Sequence, residues 1–141
     1  MPAENVEIVR RGYEAFNRGD IQTTLALFDP RVEVHLSPEG REMLGSEFSG
    51  VYNGLDGFME FLGQLQARWQ TWRWEPEEFI DAGDDRVLVM VRMRATARGD
   101  GPDVDQPMAQ VCTVQDGRLV RHDTYWARDA ARQAVGLAPS G

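Results

Sequence analysis

Gln110, Cys112, His122 and Thr124 are the residues whose types and spacing in this chain could do chemistry. They lie in two runs of alternating polarity, Met108–Gln115 and Arg118–Trp126, which flank Asp116-Gly117 in the manner of a β-hairpin. A few polar groups isolated among apolar ones on one sheet face suit the wall of a pocket. An imidazole there is a general acid or base, because its ordinary pKa of ~6.5 is easily moved across neutrality. The Gln110 amide and the Thr124 hydroxyl would orient a polar atom of a ligand, and Trp126 would form an aromatic wall. Cys112 is a nucleophile only if a base stands beside it; otherwise it packs as a small hydrophobe.

Which side chains face the pocket depends on the hairpin register. A two-residue Asp116-Gly117 turn pairs Gln110 with Asp123 and Cys112 with Arg121. A three-residue loop with Gly117 in a left-handed bulge pairs Gln110 with His122 and Cys112 with Val120. The second is preferred here, because it leaves Arg121 and Asp123 on the face where water solvates their charges. It collects Met108, Gln110, Cys112, Val114, Val120, His122, Thr124 and Trp126 on the other.

The remaining elements must position this hairpin. Val6, Val9, Tyr13 and Phe16 recur at helical spacing, and Gly19 ends that helix. Asp20 then caps a shorter helix through Phe28. Arg31–Leu36 alternates as a strand, with Val32, Val34 and Leu36 on one face and Glu33 and His35 on the other. Ser37–Gly50 has no clear period and reads as a long loop. Leu55, Phe58, Met59, Leu62, Leu65 and Trp69 mark a third helix. Trp72–Ile80 is a strand that Pro76 confines to an edge or a bulge. Arg86–Ala97 is a regular strand, and Arg128–Val135 a short terminal helix. Helices followed by antiparallel strands make an α+β domain. The expected form is a cone-shaped barrel, a curved, mostly antiparallel sheet wrapped around the N-terminal helices, with one domain over 1–141. Tyr13, Phe16, Val34 and Cys112 would join the ligand-facing set in its cavity.

The net charge of −8 over 141 residues argues against nucleic acid, and against anionic membranes. No apolar run approaches the ~20 residues of a membrane span, and the opening residues do not read as a signal peptide. The lone cysteine forms no internal disulfide and fits a reducing compartment, so the cytoplasm is expected. Two scattered histidines and one cysteine do not make a metal site, and no glycine-rich phosphate loop precedes a helix, so no cofactor is expected. Leu88, Met90, Arg92 and Arg94 share a strand face suited to solvent or a second subunit.

The segments Glu7–Asp20, Leu27-Phe28-Asp29-Pro30, Gly54-Leu55-Asp56-Gly57 and Asp116-Gly117-Arg118-Leu119-Val120 resemble nuclear transport factor 2-like proteins. More narrowly they are similar to the SnoaL-like and ketosteroid-isomerase-like branch, over nearly the whole chain. The resemblance implies the cone fold and a homodimer through the outer sheet face. The cavity itself is expected to hold a small, mainly apolar organic molecule, oriented by Gln110, His122 and Thr124. Carried over by position, the isomerase tyrosine falls at Gly12, with Tyr13 beside it, and the general-base aspartate at Val34. The second oxyanion donor falls at Gln110. Epoxide hydrolases of this fold need acids on the Arg86–Ala97 strand, which has none between Val87 and Ala97. Polyketide cyclases of the branch carry a His where His122 stands and an aspartate where Thr124 stands. The resemblance therefore points away from steroid isomerase and epoxide hydrolase activity. Three readings stay open: a cofactor-free cyclase or isomerase with His122 as proton shuttle, a ligand-binding module without chemistry, and a dimerising scaffold.

Overall fold

The computed structural model describes residues 2–45 and 47–137. Helix α1 (Pro2–Asn17) buries Val9, Tyr13 and Ala15. Just past its end stands Gly19, whose φ of +78° is open to glycine at no steric cost. Asp20 caps α2 (Ile21–Ala26), its carboxylate accepting from the Thr23 amide at 3.1 Å and the Thr23 hydroxyl at 2.7 Å. These bonds favour the ionised form and hold the Asp20 pKa below the ordinary carboxylate value.

Strand β1 (Phe28–Leu36) follows, then α3 (Pro38–Leu44), β2 (Val51–Asn53) and α4 (Gly54–Arg68). The segment read as a long loop therefore contains a helix. Ser37 begins it, accepting from the Gly40 amide at 3.1 Å, with Pro38 in the first turn where its missing N–H costs nothing. On α4, Phe58, Phe61, Leu62 and Leu65 are buried, while Met59 is 46% exposed. Phe61, not Met59, thus continues the inner stripe.

Four long strands complete the sheet: β3 (Trp69–Gly83), β4 (Arg86–Ala97), β5 (Val104–Gln115) and β6 (Arg118–Tyr125). The order is β2-β1-β6-β5-β4-β3, antiparallel except that β1 runs parallel to β6. Helices plus this curved sheet make the α+β cone. Pro76 sits in the edge strand β3, where the ladder slips between Pro76 and Glu78, so its missing N–H spoils no central pairing. The concave face carries Val87, Val89, Val91 and Met93 of β4 with Met108 and Cys112 of β5, packed against α1 and α4.

The convex face is covered in part by the last helix, α5 (Arg128–Ala134), whose Ala131 packs with Val135 on Leu88, Met90, Ala109 and Val111. Leu88 and Met90 are 0% and 4% exposed, so the chain itself buries the apolar half of that mixed strand face. Arg128 ties the helix down. It donates to the carbonyls of Met108 at 3.0 Å and Val91 at 2.8 Å, and it pairs with the Glu77 carboxylate. Arg128→Ala strips donors from two carbonyls and is expected to destabilise the fold by about 1–3 kcal/mol, with amide exchange rising first in α5. An unchanged melting temperature with unchanged α5 exchange would refute the anchoring role.

Candidate functional site

The hairpin that carries the polar residues resolves in neither of the two simple registers. Asp116 (φ +52°) and Gly117 (φ +78°) form a two-residue turn, with Gln115 opposite Arg118 and Val114 opposite Leu119. Such left-handed pairs match the twist of the flanking strands. A bulge then inserts Val120, after which Thr113 faces Arg121, Cys112 faces His122 and Gln110 faces Thr124. The preferred three-residue loop is thus corrected. Its partition of faces survives for most residues, because the bulge restores the parity that the shorter turn removes. Leu119, 7% exposed, takes the inward place assigned to Val120. Arg121 and Asp123 lie on the convex face as a bidentate ion pair, at 3.0–3.1 Å from Nε.

Above this hairpin lies a cavity of about 80 Å³. Its helical wall is Ile8, Val9, Gly12, Tyr13 and Phe16 of α1 with Phe58 and Phe61 of α4. Thr24, Leu27 and Phe28 close one side, and Val34, Trp74 and Leu119 come from the sheet. Gln110, Cys112 and His122 form its polar wall. The half-buried Phe16 and Phe28 flank the buried Phe58, with ring centroids 6.4 and 4.8 Å from it. These three rings pack edge-on or tilted and make an aromatic rim.

Six of the eight sequence-derived site residues therefore line one space: Tyr13, Phe16, Val34, Gln110, Cys112 and His122. Thr124 is buried behind Gln110, accepting from its Nε2 at 3.2 Å. Trp126 lies past the end of β6, half-buried against the core and outside the cavity lining, its amide on the Ser37 hydroxyl at 3.4 Å. Its place as aromatic wall is taken by Trp74 from β3. The strand ends one residue too early for Trp126 to keep the alternation.

The Tyr13 hydroxyl donates to Gln110 Oε1. The alignment placed the isomerase tyrosine at Gly12, yet it is Tyr13, one residue on, that reaches Gln110. Gly12 leaves open space there: a Cβ added to it meets nothing within 4 Å.

Every polar group in this wall is held neutral. Burial pushes the Tyr13 phenol well above its ordinary pKa, with the Cys112 thiol beside it adding to the rise. Burial also pushes Cys112 up to about 12, against a smaller opposing effect of its hydrogen bond to Tyr13. Such a thiol is no nucleophile at neutral pH, even with His122 facing it across the ladder. His122 is lowered to about 4, again by burial, with Asp123 behind the sheet opposing weakly. No described residue hydrogen-bonds its imidazole, and no Asp, Glu, Lys or Arg is among the lining residues. Among the described residues no three His, Cys, Asp or Glu side chains gather as metal ligands.

Removing the phenol oxygen tests the wall directly. Tyr13→Phe leaves Gln110 Oε1 buried without a donor and is expected to cost about 1–3 kcal/mol. Adding Gln110→Leu is expected to cost much less than a second independent loss, because the orphaned acceptor goes with it. Additive denaturation energies in the double variant would mean that the two groups do not interact.

Residues 9–122 match the SnoaL-like domain family. An uncharacterized protein of Mycobacterium tuberculosis strain H37Rv is 30% identical over 131 residues, spanning 92% of this chain and 94% of its own. The crystal structure of TerC co-crystallized with polyporic acid superposes with a TM-score of 0.75 at 26% identity, covering 94% of this chain and 98% of TerC. A nuclear transport factor 2-like protein of unknown function from Burkholderia pseudomallei gives the same TM-score at 27% identity, covering 95% and 98% of the two chains. With most of its length matched, and with helices, cone and inner hairpin in these places, the chain belongs to the SnoaL-like family of the nuclear transport factor 2-like fold.

Proposed function

We propose that this protein binds a small, uncharged, mainly apolar organic molecule, held by one oxygen atom against the Tyr13–Gln110 pair. The observation that carries this reading is the composition of the cavity wall. It joins aromatic and aliphatic side chains to a short row of neutral hydrogen-bonding groups, with no charged residue among them. An ionic ligand would lose its hydration there and gain no counter-charge. The co-crystallization of TerC, a structural neighbour at 26% identity, with polyporic acid supports an organic ligand for this chain. The volume of about 80 Å³ is small. A benzene-sized guest needs on the order of 150 Å³, so a ring enters as Phe16 and Phe28 swing outward from the rim.

Thermal denaturation with matched probes tests the reading, since a ligand that binds only the folded state must stabilise it. Six-membered-ring ketones and alcohols are expected to raise the melting temperature, whereas the carboxylate of the same ring leaves it unchanged. Equal stabilisation by the carboxylate overturns the reading, and no response to any probe leaves the cavity as packing space in a scaffold.

A second reading rests on His122, whose imidazole lines the cavity with no hydrogen-bond partner among the described residues. A neutral imidazole there accepts a proton from a carbon next to an oxygen polarised by Tyr13, which is isomerase or cyclase chemistry without a cofactor. Its basicity is low in the empty cavity and rises as negative charge develops on the ligand. His122→Ala separates the two readings: an enzyme keeps its ligand affinity and loses turnover, and a binding module has no turnover to lose. The chain is further proposed to pair as a homodimer through the convex face that α5 leaves open, where Glu33 stands in register with Arg121 and His35 with Asp123. Sedimentation as a monomer at micromolar concentration would refute that pairing.

A further inference from the structure

The hydrogen bonds behind the cavity form a chain in which each end member can both donate and accept. Tyr13 donates to Gln110 Oε1, and Gln110 Nε2 donates to Thr124 Oγ1 at 3.2 Å. A phenol and an aliphatic hydroxyl each carry one hydrogen and free lone pairs, while the two ends of an amide have nearly the same shape. Turning the Gln110 amide over therefore preserves both bonds and reverses their direction: Thr124 then donates to Oε1, and Nε2 donates to the Tyr13 oxygen. All three side chains are buried, at 7%, 1% and 3% exposure, so neither direction is available with a bond missing and a group left dry.

The two directions present different faces to a ligand. In the observed one, the Tyr13 proton is spent on Gln110, and the phenol oxygen can only accept. A ligand must then bring a hydroxyl. In the reversed one, the phenol proton is free, and a carbonyl oxygen takes it in preference to the weakly accepting sulfur of Cys112. We propose that Gln110 and Thr124 set the polarity of the Tyr13 anchor by this turn, so that one cavity holds a compound both as its carbonyl and as its hydroxyl form. The ligand class is then a ketone that tautomerises with its enol, a change that moves one proton and needs no oxidant or reductant. Thr124 is the positioning residue, because it accepts or donates as the amide requires. This inference rests on the cavity binding an uncharged molecule through Tyr13.

Amide orientation is read directly by nuclear Overhauser contacts in wild-type protein with labelled glutamine side chains and threonine methyl groups. Cyclohexanol, which can donate to the phenol oxygen, and cyclohexanone, which can only accept from it, are the probes, and they are nearly equal in size. With cyclohexanol the Gln110 amide protons are expected to lie near the Thr124 methyl group. With cyclohexanone those contacts move to the Tyr13 ring. The same contact pattern in both complexes, with both probes shifting the Val34 methyl signals, overturns the turn and leaves the binding reading intact. If neither probe shifts the cavity signals, both fall together.

Discussion

Replacing Gly12 with leucine is expected to abolish ligand binding while leaving the protein folded and slightly more stable. Gly12 lies inside α1 and lines the cavity, and a Cβ built on it meets nothing within 4 Å. Glycine is the poorest helix former after proline, so a leucine there gains roughly 0.5–1 kcal/mol of helix propensity. Gly12 shares the cavity wall with Tyr13 and Phe16, and an isobutyl group turned into that cavity occupies the volume a ligand needs. Gly12→Ala is the milder control, expected to keep the propensity gain and to weaken binding without ending it. Melting temperatures with and without a ketone probe supply both readouts. A Gly12→Leu protein that is folded and still binds the probe with wild-type affinity would place the ligand elsewhere. A variant that fails to fold would show that the space beside Gly12 is smaller than a side chain.

The second large effect is the loss of stability that His122 contributes between pH 6.5 and about 4. Burial lowers its folded pKa to about 4 from an ordinary 6.5, so in that window the unfolded chain binds a proton that the folded protein refuses. Stability therefore rises with pH across the window and falls as the solution is acidified. The full effect is about 2–3 kcal/mol once the partial solvent contact of the ring is allowed for. His122→Gln, which has nothing to titrate, is expected to unfold at a lower pH than the wild type. The depressed carboxyls of Asp20, Glu77 and Asp105 add an acid loss of their own, present in both proteins. Superimposable acid-unfolding curves would show that the imidazole is protonated as easily folded as unfolded. On the alkaline side the sign is opposite: Cys112, raised from 9.0 to about 12, favours the folded state below pH 9 and withdraws that support as the unfolded thiol ionises.

Periodicity was enough to place the long elements, because their patterns come from burial that repeats along the chain. Arg86–Ala97 is a strand at both of its predicted ends, and its inner residues Val87, Val89, Val91 and Met93 are all fully buried. Patterns fail where one residue changes the count. The α3 helix was invisible because Pro38–Leu44 makes only two turns and buries only Gly40 and Leu44, too few positions to show a period. The side chains of the polar wall were legible as types on a face, since alternation survives any register of the right parity. Their partners were not: Tyr13 meets Gln110 across 97 residues of sequence, and helix tilt decides that contact. Gly12 and Phe28 were missed for different reasons. A glycine gives no apolar signal, and Phe28 fitted the stripe of a helix that ends two residues earlier, at Ala26.

The bulge at Val120 has an implication for descent. In an unbroken ladder continuing from the Asp116-Gly117 turn, Arg121 would stand opposite Cys112 and Asp123 opposite Gln110, and the cavity would offer a guanidinium and a carboxylate where it now offers an imidazole. No cavity residue need mutate for that exchange. A lineage in which this irregularity heals or migrates along the strand inherits the same composition and a different reactive group. Two chains aligned column by column at His122 and Asp123 can therefore be identical in letters and present different side chains to the cavity, so the backbone irregularity decides which group faces inward as much as the sequence does.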